Sequence, residues 1–83
     1  MGNVFGAINV INTSSRDIVA KLYQGTSKID ELTISAGQVD YFTVDLGVVY
    51  VVKVNGLQVG PSITLKDCGG NVSCISNQAT IQY

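Results

Sequence analysis

Apolar and polar residues alternate with a period of two along most of the chain, and no stretch repeats with the period of a helix. The densest run is Val48-Val49-Tyr50-Val51-Val52-Lys53-Val54, and Asn55-Gly56 follows it directly. Asn-Gly suits a two-residue type I′ turn, in which both central residues take positive φ, so a hairpin is predicted over Leu46 to Leu65. Its expected pairs are Val54 with Leu57, Val52 with Val59, Tyr50 with Pro61 and Val48 with Ile63, all on one apolar face. Lys53, Val51 and Val49 then share the opposite face with Gln58, Gly60 and Ser62. A slip of one residue would turn the apolar set to water, which pins the register. Pro61 has no N–H to give a ladder, so the second strand is expected to bulge or to lie at a sheet edge.

The other elements follow in order. Val4, Ile8 and Val10 share one parity and Phe5, Ala7 and Ile11 the other, giving a first strand that stops at the turn residues Asn12-Thr13-Ser14-Ser15. Ile18, Ala20 and Leu22 alternate with Val19, Lys21 and Tyr23 in a second strand. Leu32 and Ile34 mark a short third, and Phe42, Val44 and Leu46 one face of a fourth. The last strand sets Ile75, Ala79, Ile81 and Tyr83 against Ser76, Gln78, Thr80 and Gln82, a wholly polar side. Seven strands with no linker, repeat or low-complexity tract predict a single all-β domain over residues 1–83, a small antiparallel β-sandwich, with a small closed barrel as the alternative.

Composition narrows the function more than it names one. The chain is 46% hydrophobic and only 13% charged, which argues against disorder and for surface burial in an assembly. Its five basic residues, Arg16, Lys21, Lys28, Lys53 and Lys66, are dispersed and the net charge is −1, so the electrostatic footprint of a nucleic-acid binder is missing. No apolar run approaches the length of a transmembrane helix. The opening residues lack the pattern of a secretory signal, and Gly6 stands where a myristoylation motif needs Ser or Thr.

There is no histidine, which removes the commonest general base and the Cys/His zinc sites. Of the carboxylates, Asp30 and Glu31 point to opposite faces of one strand and Asp40 and Asp45 differ in parity, so local geometry delivers no catalytic pair. The expectation is a non-enzyme with no cofactor and no metal. Asp67 and Asn71 are too few for calcium, and Gly69-Gly70-Asn71 reads as a tight turn before it reads as an anion nest. Cys68 and Cys74 are expected to close a disulfide across five residues, worth about 2 to 2.5 kcal/mol if unstrained, with two thiols as the alternative. A disulfide would place the protein in an oxidising setting, secreted or extracellular in a mature form, with the cytoplasm as the alternative. Asn12-Thr13-Ser14 and Asn71-Val72-Ser73 match the N-glycosylation pattern in expected loops and lean the same way.

The surplus of apolar residues carries the functional expectation. Once one face of each sheet is buried, Phe5, Val19, Tyr23, Val39, Tyr41, Val49 and Val51 remain on the other parity, and exposed apolar patches mark partner or ligand surfaces. Val19, Val49 and Val51 are the expected interface of a homo-oligomer, most simply a dimer. A lectin-like carbohydrate site would use Tyr23 or Tyr41 as a flat ring, with Asp67 and Asn71 as loop groups that fix hydroxyls. A self-assembling surface protein and a protein-binding inhibitor or toxin-like module are the alternatives.

Overall fold

The computed structural model describes residues 5–66 and 77–83. Among these residues seven strands form: β1 (Phe5–Ile11), β2 (Ile18–Gln24), β3 (Ser27–Ile34), β4 (Val39–Asp45), β5 (Val49–Val54), β6 (Leu57–Thr64) and β7 (Gln78–Gln82). They make two sheets, one of three strands in the order β4-β1-β7 and one of four in the order β3-β2-β5-β6. The protein is a small β-sandwich, not a closed barrel. Among the described residues no helix is long and apolar enough to cross a membrane.

The alternation explains the core. Ile8 and Val10 of β1, Phe42 and Val44 of β4 and Ile81 of β7 face Ile18, Ala20 and Leu22 of β2 and Tyr50, Val52 and Val54 of β5, and all of them are buried. Ile34, Ile63 and Leu65 complete the cluster. Tyr50 spans the gap between the sheets, and its hydroxyl accepts the N–H of Asp45 at 3.1 Å. A buried phenol is thereby satisfied while its ring stays apolar, the arrangement such a side chain requires.

One pairing departs from the antiparallel rule: β7 runs parallel to β1. β1 also pairs antiparallel with β4, so the three-stranded sheet is mixed. Sequence alternation reports in or out and carries no such information.

The β5–β6 hairpin turns where the Asn-Gly pair dictates, with φ of 55° at Asn55 and 78° at Gly56. Val54 pairs with Leu57, Lys53 with Gln58 and Val52 with Val59, as the pattern requires. Beyond that the register corrects the expectation: Tyr50 faces Ile63, not Pro61, and Gly60, Pro61 and Ser62 stand opposite the single residue Val51. The bulge absorbs the missing N–H of Pro61, with Gly60 at φ 69°. Because two residues are inserted, side-chain parity survives and Ile63 still enters the core. β6 is an edge strand, as Pro61 implied.

β3 is longer than its apolar pattern suggested. Pairing with β2 reaches back to Ser27, through a shift beside Leu22 and Tyr23 that leaves Ile29 without a direct partner. Polar edge residues hide a strand from a period-two reading. At the hairpin tip, no described atom beyond the adjoining residues lies within 4 Å of a Cβ added to Gly56, so its backbone conformation is what resists substitution. Gly56→Val should therefore lower stability by about 1 kcal/mol, read as a shift in urea midpoint. An unchanged midpoint would contradict the positive-φ requirement.

The most constrained polar residue among those described lies at this same end of the sandwich, where β2 begins and β3 ends. Asn12 is fully buried. Its amide Nδ2 donates to the carbonyls of Arg16 at 2.7 Å and Ile34 at 3.0 Å, and its Oδ1 accepts the N–H and the hydroxyl of Ser14. Its backbone N–H donates to Gln38 and its carbonyl accepts from Gly37. One side chain thus fastens the end of β1 to the β1–β2 loop and the end of β3, where the bare backbone would leave buried groups unpaired.

Candidate ligand-binding face

The structure separates the two tyrosines expected to serve a ligand. Tyr23 lies on the outer face of the four-stranded sheet and Tyr41 on the outer face of the three-stranded one, so a full sandwich stands between them. They cannot share a site. Asp67 and Asn71, the expected loop partners, lie outside the described residues, as do Cys68 and Cys74 with their expected disulfide.

The surroundings of Tyr23 are cationic and partly occupied. The ammonium of Lys53 sits 4.6 Å from the centre of its ring, a cation–π contact that covers one face of the ring. Lys21 stands directly across from Lys53, and Glu31 across from Lys21. Glu31 also bonds Lys28 at 2.9 Å. That hydrogen bond and the charge of Lys28 hold the Glu31 carboxyl below its usual range, and the same pair raises Lys28. Such an exposed pair adds little to stability; its effect here is to balance like charges that would repel across the strands. The expected interface residues fall around this charged centre. Val51 is half-buried beside Tyr23, Val49 is exposed opposite Thr64, and exposed Val19 lies beyond the Lys21–Lys53 row. The apolar patch is therefore broken in two by lysines.

The outer face of the three-stranded sheet differs in chemistry. Its register sets Asp45 beside Phe5, then Thr43, Ala7 and Gln78 in a row, then Tyr41, Asn9 and Thr80, then Val39, Ile11 and Gln82. No lysine or arginine falls on these rows. Tyr41 is exposed, at 57%. Asn9 and Tyr41 form a pair that exchanges no backbone hydrogen bonds with each other, since the N–H of Tyr41 turns outward to the carboxylate of Asp40 at 2.8 Å. Side chains approach more closely in pairs of this kind. On the other side Asn9 Nδ2 reaches Thr80 Oγ1 at 3.3 Å and Gln78 Oε1 at 3.4 Å. These are long, weak bonds, so the amide is oriented without being fully used. An open cleft of about 260 Å³ continues the face toward Phe5 and Gly6.

Sequence alternation identified Tyr41 as outward-facing but did not select Asn9, Gln78 or Thr80. Asn9 and Thr80 are 71 positions apart, and only the β1–β7 pairing brings them together. The polar side of β7 was the available signal.

The carboxylates of Asp17, Asp30 and Asp40 each accept a backbone N–H, from Ala36, Glu31 and Tyr41. These are turn and edge contacts. The glycosylation pattern at Asn12 also needs correction: both hydrogens of its Nδ2 are committed inside the protein and the side chain has no exposed surface. A folded chain has no room for a glycan there, so this pattern lends no weight to secretion. Asn71 lies outside the described residues.

No family model, curated protein or solved structure matches the chain.

Proposed function

We propose that the protein is a non-enzymatic carbohydrate-binding module, and that it binds a neutral saccharide on the outer face of its three-stranded sheet. The observation that carries this reading is the row Tyr41–Asn9–Thr80, an exposed tyrosine next to an oriented but lightly committed amide and a hydroxyl. A sugar offers both complements: its C–H face covers an aromatic ring while its hydroxyls exchange hydrogen bonds with amides. The absence of lysine and arginine on the same rows favours uncharged saccharides over sulfated or carboxylated ones, which would forgo charge-assisted bonds. Tyr23 is the poorer platform because Lys53 already occupies one face of its ring.

An array of immobilised neutral and acidic glycans is the screen. Neutral glycans should be retained and released by free sugar, and Tyr41→Ala should weaken retention about tenfold, the loss expected when one aromatic contact is removed. Tyr23→Ala should leave it unchanged. Binding that survives Tyr41→Ala and falls with Tyr23→Ala would transfer the site to the four-stranded sheet, and silence across the array would end the carbohydrate reading.

A further inference from the structure

Among the described residues the sandwich has four free edges, and three carry a device that blocks further strand pairing. On β3 the carboxylate of Asp30 takes the N–H of Glu31, and on β4 Asp40 takes that of Tyr41 while the Tyr50 hydroxyl takes that of Asp45. On β6 the bulge at Gly60 and Pro61 breaks the ladder, and Gln58 Nε2 caps the Gly60 carbonyl at 3.0 Å. Occupied or kinked edges are how sheets avoid unwanted partners. β7 has no such device among the described residues: Gln-Ala-Thr-Ile-Gln contains no charge and no proline, and its pairing to β1 is regular.

We infer that the free edge of β7 is an interface for a second copy of this chain, paired antiparallel about Thr80. The bonds from Ala7 N–H to the Asn77 carbonyl and from Tyr83 N–H to the Ile11 carbonyl show that odd positions of β7 face β1. Gln78, Thr80 and Gln82 therefore direct both N–H and C=O outward. Around a two-fold axis at Thr80, Thr80 meets its own copy and Gln78 meets Gln82. Every outward group then meets a complementary group in a pair that exchanges both hydrogen bonds, so the edge is complementary to itself. Their side chains, all exposed on the outer face, form a matching Gln–Gln and Thr–Thr ladder across the junction. The result is one six-stranded sheet carrying two copies of the Tyr41–Asn9–Thr80 row on a single side. This relocates the association expected of Val19, Val49 and Val51, whose face is divided by Lys21 and Lys53.

The association does not depend on the ligand, so it is tested without sugar. Sedimentation equilibrium of the full chain at about 100 μM should report a dimer. Thr80→Lys, which sets two like charges against each other at the axis, should raise the dissociation constant at least about tenfold. A Val49→Lys, Val51→Glu double variant should leave it unchanged. In the wild type, amide exchange followed by NMR should show the N–H groups of Gln78, Thr80 and Gln82 protected at high concentration and released on dilution, a readout that needs no variant. A monomer at that concentration would overturn the inference. So would a dimer whose three β7 amides exchange freely, or one lost only in the Val49 and Val51 variant.

Discussion

Asn12→Ala should cost about 3 kcal/mol or more, a large share of the roughly 5 to 15 kcal/mol that stabilises an ordinary domain. The truncation leaves the Ile34 carbonyl without its donor inside the protein, removes the Asx turn that holds Ser14, and opens a void where a fully buried side chain stood. Asn12→Asp should be worse despite its matching shape. A carboxylate has no hydrogen for the carbonyls of Arg16 and Ile34 and instead places negative charge against both. Urea denaturation of the three proteins gives the comparison. Losses below about 1 kcal/mol in both variants would mean that water replaces the amide at little cost, against the full burial of the site.

Gly6→Val is expected to have an effect of similar size for the opposite reason. Gly6 is inward-facing on β1, and a Cβ there would stand 2.5 Å from Leu65 Cδ1, 2.6 Å from the Asn77 carbonyl oxygen and 3.0 Å from Leu46 Cδ2. The leucines can rotate away. The carbonyl cannot, because it accepts the N–H of Ala7 and so begins the pairing of β7 with β1. Overpacking against a fixed backbone group costs about 1 to 3 kcal/mol, and a branched side chain belongs at the upper end. Gly6→Ala should show the backbone clash alone, with a smaller shift of the urea midpoint. If Gly6→Val were neutral, the strand end would have to be free to separate, and the junction between β1 and β7 would not be held as described.

Both sites show where reading the sequence stops. Alternation sorted inward from outward residues well: Ile18, Ala20, Leu22, Phe42, Val44, Val52 and Val54 are buried, and Tyr41, Val39 and Val49 are exposed. Asn55-Gly56 located the turn because only a positive-φ pair closes that hairpin, and Pro61 located the irregular edge because it lacks an N–H. Parity does not say which sheet a strand joins, so Tyr23 and Tyr41 looked equivalent although they lie on opposite sides of the molecule. Nor does it recognise a polar residue that is buried because it replaces backbone hydrogen bonds. Asn12 sits among turn residues and reads as an exposed loop; its burial depends on carbonyls from Arg16, Ile34 and Gln38, which the fold brings together. The candidate face was hidden for the same reason, since Asn9, Tyr41 and Thr80 come from three strands and meet only through the pairing of the first with the fourth and the last.

If the outer face of the three-stranded sheet is the binding face, its own groups should respond to ligand. The direct measurement is an NMR titration of the full chain with the neutral oligosaccharides retained on the array, following the side-chain amides of Asn9, Gln78 and Gln82 and the ring of Tyr41. Saturable shifts at these groups, with Tyr23, Val49 and Val51 unmoved, are the predicted result. Saturable shifts centred on Tyr23 and Lys53 with the Asn9 amide silent would contradict it.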